Sequence, residues 1–276
     1  MGGGRQFNSS SSPRPGGILP DACFWVPSVP EICAVIPVYE HGGTVGRVVS
    51  AILAQGLDCL LVDDGSGADC AGALDALAAS DPAVHVLRLP ANQGKGAAVQ
   101  MGLLAADSGG YSHALQIDAD GQHALTDIPR FLAEYRSHPE AVICGRPIFD
   151  HGTPRSRLFW RHLTRFWVWV NTLSFDIPDA MCGFRIYPLK PVTALLRQTR
   201  LGRRMDFDIE ILVRLHWRGL PMRWLDTLIS YPPGGASHFR LWLDNVLITR
   251  VHTLLFFGML RRSPRLLFRK LARSGS

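Results

Sequence analysis

The 276-residue sequence predicts an α/β fold: a mostly parallel sheet with helices on both faces, followed by a helical appendage at the C-terminal end. Three observations carry this expectation. Short apolar runs alternate with segments of helical period through the first half of the chain. Polar and glycine-rich turns follow the apolar runs, where an open parallel sheet places its ligand site. Hydrophobic content of 47% with only 19% charged residues suits a chain of this length that buries a full core and keeps extra apolar surface.

The elements follow in order. Ile32–Val38 is a continuous apolar run and reads as a buried strand, and Thr44–Gln55 is a helix with Val45, Val48, Val49 and Ile52 on one face. Leu60–Val62 is a second strand, ended by Asp63-Asp64-Gly65-Ser66. A helix over Cys70–Ala79, a strand at Val84–Leu89 and a helix over Gly96–Ala106 continue the alternation. Ala114–Ile117 is a strand, and Thr126–Ser137 with Ala141–Cys144 forms another helix-strand pair. Beyond Gly145 the pattern changes. Leu158–Leu173 is a Trp-rich helix, Ala180–Tyr187 a loop and short strand, Phe207–Trp217 a helix and Met222–Tyr231 a strand stopped by Pro232-Pro233-Gly234-Gly235.

The ends differ from the middle. Residues 1–30 begin with a Gly- and Ser-rich stretch without the apolar core of a signal peptide, and read as a disordered leader. Residues 31–238 read as one α/β domain, and 239–276 as a basic amphipathic helical segment. From Arg240 onward eight Lys/Arg face a single acid, Asp244; this tail of +7 leaves about −1 of the net +6 for everything before it. No apolar run reaches the roughly 20 residues needed to span a bilayer. Helical spacing places Trp242, Val246, Thr249, Thr253 and Phe257 near one face, which suits a helix lying in the membrane interface; a core-packed helix with a solvated basic tail is the alternative. Nucleic acid is not expected as a partner, because the basic residues lack interleaved stacking aromatics beyond Phe268. The six cysteines show no CxxC pair and no metal-ligand spacing, and a reducing cytosol is the expected compartment.

The chemistry concentrates at strand ends. In Asp118-Ala119-Asp120-Gly121-Gln122 two carboxylates one residue apart share a face at the end of a strand, and such a pair repels unless a cation intervenes. Hard oxygen ligands suit Mg²⁺ or Mn²⁺ bridging to substrate phosphates. A lone Asp-x-Asp reads as an acidic turn; here Pro37-Val38-Tyr39-Glu40 and Asp63-Asp64-Gly65-Ser66 end neighbouring strands and converge on the same crevice. Asn92-Gln93-Gly94-Lys95-Gly96 opens a helix as a phosphate loop does. Gly96 stands where a P-loop requires Ser or Thr, and no GxGxxG follows the first strand, so nucleoside-triphosphatase and NAD-binding readings are set aside.

Taken together, these motifs resemble family 2 glycosyltransferases, of the branch that includes dolichyl-phosphate mannose synthase and bacterial polyprenyl-phosphate sugar transferases. IPVYE is similar to the family's IPxYNE, VDDGS to its second-strand motif and NQGKGAAVQMG to NxGKGxAxxxG. DADGQH, DAMCGFR and FDIEI are similar to its metal, acceptor-loop and F-x-I-E motifs. The resemblance covers about residues 32–240 and implies a GT-A type fold. It implies a nucleotide-sugar site at Pro37, Tyr39, Glu40, Asp63, Asp64, Lys95, Ala119, Arg146 and His238, and a metal site for Mg²⁺ or Mn²⁺ at Asp118, Asp120 and Gln122. Asp179, Arg185 and Glu210 take the catalytic and acceptor side.

Four of these residues also have a plain structural reading. Arg146 and Arg185 suit ion pairs, Glu210 a helix hydrogen bond and Lys95 a solvated loop. The chain departs from the family pattern at Glu40 and His41, at Cys182 (usually Ser) and at 232–238, where a basic G-x-S-K sequence is missing. The implied function is inverting, metal-dependent transfer of a sugar from a UDP- or GDP-sugar to a lipid-linked acceptor, a polyprenyl phosphate or a lipid hydroxyl, by a protein peripheral on the cytosolic membrane face. Asp179 is the expected general base for a hydroxyl acceptor. The rivals are a nucleotidyltransferase, which would want a Gly-rich basic first loop, and a catalytically silent nucleotide-sugar-binding subunit.

Overall fold

A computed structural model describes residues 31–149, 155–230 and 241–274. The expected leader and His238 lie outside the described residues, as does the side chain of Trp242. The elements are β1 (Ile32–Val38), α1 (Gly42–Leu53), β2 (Asp58–Asp63), α2 (Ala68–Ser80), β3 (Val84–Arg88), α3 (Lys95–Ser108) and β4 (His113–Gln116). They continue with α4 (Ile128–Ser137), β5 (Val142–Phe149), α5 (Arg155–Thr172), β6 (Arg185–Pro188), α6 (Leu189–Gln198), α7 (Asp206–Arg218), β7 (Met222–Ile229) and α8 (Leu241–Ser274).

Seven strands form one sheet in the order β3-β2-β1-β4-β6-β5-β7. Every pairing is parallel except those of β6, which runs antiparallel to both β4 and β5. All seven residues of β1 are buried, as a central strand covered on both faces requires. Alternation along it divides the core in two. Cys33 and Val35 join the cluster packed by α3, α6, α7 and α8, while Ile32, Ala34, Ile36 and Val38 join the one packed by α1, α2 and α4. On α1 the expected face, Val45, Val48, Val49 and Ile52, is the buried one. The sheet is thus a mostly parallel one with helices on both faces, as expected.

The second half extends the prediction. β5 runs to Phe149, five residues past its expected end, and α6, which the sequence reading omits, follows β6 without a connecting loop. The C-terminal segment is one helix from Leu241 to Ser274, continuous through Pro264. One side of it, including Asp244, Val251, Leu255 and Met259, packs on α5 and α7. Val246, Thr249, Thr253 and Phe257, assigned to one face from spacing, are exposed. Phe256 is partly buried against the core. No helix among the described residues is long and apolar enough to cross a membrane.

Candidate active site

The order β2-β1-β4 creates a switch point. The chain leaves β1 toward β2 on one side and returns from β3 through α3 to β4 on the other, opening a crevice at the C-terminal strand ends. Pro37 is the buried penultimate residue of β1, and Tyr39 is half-buried just beyond it. Glu40 adopts φ +56°, unusual for a non-glycine residue. Its amide donates to Ser66 Oγ (3.2 Å), and its carboxylate accepts from the Gly67 amide (2.7 Å). The first two loops are therefore locked together by the residue that departs from the family pattern.

Asp63 and Asp64 are both buried and both engaged. Asp63 accepts from the Ser66 amide at 2.9 Å and lies 3.4 Å from Arg88. Asp64 accepts from the Gln93 amide (2.7 Å) and the Gly94 amide (2.9 Å), tying the β2 loop to the one before α3. Burial raises the Asp64 carboxyl above its usual range, against the pull of those two amides. Gly94 has φ +103°, and a Cβ there would lie 2.5 Å from the Arg203 carbonyl, so glycine is required both for the turn and for the close approach of the 199–205 segment.

Lys95 is not a solvated loop residue. It begins α3, and its Nζ lies 2.9 and 3.0 Å from the two oxygens of Asp118 and 3.1 Å from Asp208. Burial works against the ammonium, but the two carboxylates outweigh it and the Lys95 pKa rises. Burial alone would raise Asp118; Lys95 and His123, whose Nε2 is 3.5 Å away, hold it well below the usual carboxylate range instead. Asp120 shows the opposite shift. Burial and then the negative charge of Asp118 push it upward, and its carboxylate accepts from the Gln122 amide at 3.0 Å. Ala119 is buried, with its carbonyl accepting from Thr44 Oγ1 at 2.8 Å, which fastens this turn to the start of α1.

The loop 179–184 closes the other side. Asp179 takes a bidentate contact from Arg161 of α5 (3.0 and 2.8 Å) and accepts from the Met181 and Cys182 amides (2.9 and 2.8 Å). The Cys182 thiol, pushed up to about 12 by burial, is neutral and inert. Gly183 lies against the acidic turn: a Cβ there would meet the Asp118 oxygens at 2.7 and 2.8 Å and Lys95 Nζ at 2.8 Å. Phe184 stacks on Phe131 with ring centroids 3.9 Å apart, fixing the loop to the core.

Three expected site residues are placed differently. Arg185 is 1% exposed, so it does not line an open acceptor surface. It donates to the Ala180 and Asp208 carbonyls (2.9 and 3.0 Å) and to Tyr187 (3.0 Å), holding the loop from behind. Glu210 is likewise buried, bound by Arg214 (2.8 Å) and the Gly202 amide (2.7 Å); the helix hydrogen bond is its arrangement. Arg146 is exposed and paired across the strands with Asp226, whose carboxyl it lowers. Its side chain is engaged on the surface of β5 and β7. Conversely, Arg161, His123 and Asp208 escaped the sequence reading. Arg161 sits in a helix whose tryptophans dominate its pattern, His123 ends the DADGQH motif without standing out from it, and Asp208 lies inside FDIEI beside the more conspicuous glutamate.

Comparison with known proteins agrees with this architecture. The chain is 26% identical over 195 residues to an undecaprenyl-phosphate mannosyltransferase of Micrococcus luteus, covering 67% of this chain and 77% of that one. Among solved structures it resembles glucosyl-3-phosphoglycerate synthase from Mycobacterium tuberculosis, with a TM-score of 0.58 at 16% identity over 83% of this chain and 80% of the other. A mannosyltransferase from Pyrobaculum calidifontis, solved with GDP-Man and Mn²⁺, aligns with a TM-score of 0.51 at 14% identity over 75% and 58% of the two chains. Both likenesses are of fold, the GT-A type. Residues 33–198, more than half the sequence, match the family model described as glycosyl transferase family 2, and to that family of glycosyltransferases the chain belongs.

Proposed function

We propose that this glycosyltransferase moves a hexosyl group, with inversion, from a UDP- or GDP-sugar to a polyprenyl phosphate. The observation that carries the acceptor class is the state of Asp179. A hydroxyl acceptor needs a base within reach, yet the Asp179 carboxylate already accepts four hydrogen bonds from Arg161 and two loop amides. A phosphate is anionic and needs no base, so Asp179 has only to position the loop. The name of the Micrococcus relative, which specifies an undecaprenyl phosphate, supports the same choice.

Donor binding falls to the crevice at β1, β2 and β4, with Pro37, Tyr39, Glu40, Asp63 and Asp64 on the nucleoside side. A divalent ion fits the turn after β4. Asp120 and Gln122 offer hard oxygen donors; burial and the adjacent Asp118 charge raise the Asp120 carboxyl, a cost that a cation there would offset. No group of three His, Cys, Asp or Glu ligands exists among the described residues, so donor phosphates and water would complete the shell. An ion held there supplies neutralisation of the charge developing on the leaving nucleoside diphosphate. Asp118, held by Lys95, lines the same turn.

A bilayer is the surface at which such an acceptor is met. Phe159, Trp160 and Phe166 of α5 and Val246, Leu254, Phe257 and Phe268 of α8 are exposed, a larger display of apolar side chains than scattered surface hydrophobics provide. Exposed Arg250, Arg261, Arg265 and Lys270 accompany them, and α5 contains no acidic residue. These features support interfacial binding to anionic lipid on the cytosolic face. Purified protein incubated with UDP- or GDP-hexoses, polyprenyl phosphate and Mn²⁺ should release nucleotide and form an anomerically inverted product, and EDTA should stop it. A normal rate in EDTA defeats the metal, a retained anomer defeats the stereochemistry, and transfer to a lipid alcohol but not to the phosphate defeats the acceptor.

A further inference from the structure

Asp208 is a buried carboxylate at the junction of the two half-sites. It lies in the first turn of α7 and is 3% exposed. One oxygen is 3.1 Å from Lys95 Nζ. The other is 3.5 Å from Arg185 Nη1 and 3.4 Å from Gln116 Nε2. Lys95 directs its remaining contacts to both oxygens of Asp118, and Arg185 donates to the Ala180 carbonyl of the 179–184 loop. Charges therefore alternate in space from the loop through Arg185, Asp208 and Lys95 to Asp118.

Burying ionised groups is costly unless partners compensate, and in some proteins such networks are retained because they fix one geometry. Geometry is what this network fixes. Lysine has a flexible four-carbon stem and three donors, so a single carboxylate could hold its ammonium from many directions. With Asp208 as a second anchor, Lys95 Nζ is confined between α7 and the acidic turn. The backbone of Gly183 closes the space beside it, since even a Cβ there would fall within 2.8 Å of Nζ.

We propose that Asp208 is a positioning residue: it aims Lys95 at Asp118 and Arg185 at the acceptor loop, holding donor site and acceptor loop in one register. This rests on the sugar-transfer reading above and adds a residue to it. Asp208 needs to touch neither substrate. Its effect passes through the two cations.

The test compares position with charge. In Asp208→Glu the charge is kept but the carboxylate is displaced by one methylene, and in Asp208→Asn the shape is kept and the charge lost. Binding of UDP–Mn²⁺ and GDP–Mn²⁺ is measured by calorimetry on the full chain, alongside thermal melts. Both variants should weaken binding of whichever nucleotide the wild type takes by roughly tenfold, the scale of one charge-assisted hydrogen bond. Lys95→Met should show a loss of the same size, and the Lys95→Met/Asp208→Glu double variant no further loss, because the two act as one unit. Asp107→Asn, which breaks a remote contact with Arg197 and Thr193, should bind normally whatever its melting temperature. If Asp208→Asn fails to fold, Asp208→Glu decides. Wild-type binding by a folded Asp208→Glu, or full additivity with Lys95→Met, overturns the proposal and leaves the transferase reading standing. A wild type that binds neither nucleotide with Mn²⁺ removes both.

Discussion

Replacing Gly183 by alanine tests whether the acceptor loop and the acidic turn work as one surface. The backbone there is not in the left-handed region, so alanine meets no conformational penalty of its own. Space is the only obstacle. The new methyl would sit 2.7 and 2.8 Å from the Asp118 oxygens and 2.8 Å from Lys95 Nζ, against about 3.4 Å for ordinary contact, so the ion pair or the loop must give by roughly 0.6 Å. Both neighbours are held: Lys95 by Asp208, and the loop by Arg185 and Phe184. Overpacking of this kind costs about 1–3 kcal/mol. If it falls on the bound state, donor–metal affinity drops by roughly 5- to 150-fold. Calorimetry with nucleoside diphosphate and Mn²⁺ reads the affinity, and a melting curve separates it from unfolding. Gly72→Ala, in an open position of α2 with no atom within 4 Å, serves as the control and should raise the melting temperature. Gly183→Ala with wild-type affinity and turnover would refute the reasoning.

Three further outcomes follow from the site and its supports. Asp120→Asn should abolish metal-dependent donor binding while leaving the fold intact; full metal response in that variant would sink the metal assignment. Asp179→Asn and Arg161→Met should resemble one another, raising the acceptor KM with a loss in kcat below about 10²-fold and little pH dependence, since a base is not being removed; a larger, strongly pH-dependent loss in Asp179→Asn alone would point to a hydroxyl acceptor. His252, buried between α8 and α5 and bound to Asn171 at 3.2 Å, has its pKa lowered by burial to about 4. Because the folded value lies below the unfolded 6.5, its contribution is fully present above pH 6.5 and is lost as pH falls toward 4, a change of about 3 kcal/mol. Denaturant midpoints measured across that window should flatten in His252→Gln, and an unchanged acid limb would exclude His252 as the cause.

How much of this was readable in the sequence depended on the kind of signal. Strands buried on both faces announce themselves as apolar runs, so β1 and the helix face of Val45, Val48, Val49 and Ile52 were visible directly. The Asp118–Gln122 turn was visible because polar residues at a strand end interrupt such a run. β6 and α6 were harder: Arg185–Pro188 passes into Leu189–Gln198 with no loop between, and two prolines, Pro188 at the N-cap and Pro191 in the first turn, obscure the start of the helix. Asp208 was obscured for another reason. A buried acid is defined by its partners, Lys95 and Arg185, which are 113 and 23 residues away, and no local periodicity encodes that meeting. Arg161 and Asp179 are the same case at shorter range.

The C-terminal helix carries an obligation beyond any contact with lipid. Asp244, near its start, has no exposed surface and lies 3.0 Å from Arg204, whose neighbour Arg203 accepts the Ala97 amide at the head of α3. A chain shortened to end before Leu241 would thus strip a counter-charge from the segment that braces the Lys95 loop, as well as the apolar face covering α5 and α7. Loss of donor affinity in such a fragment would be a mechanical injury to the nucleotide site, and should not be mistaken for proof that the membrane activates the enzyme.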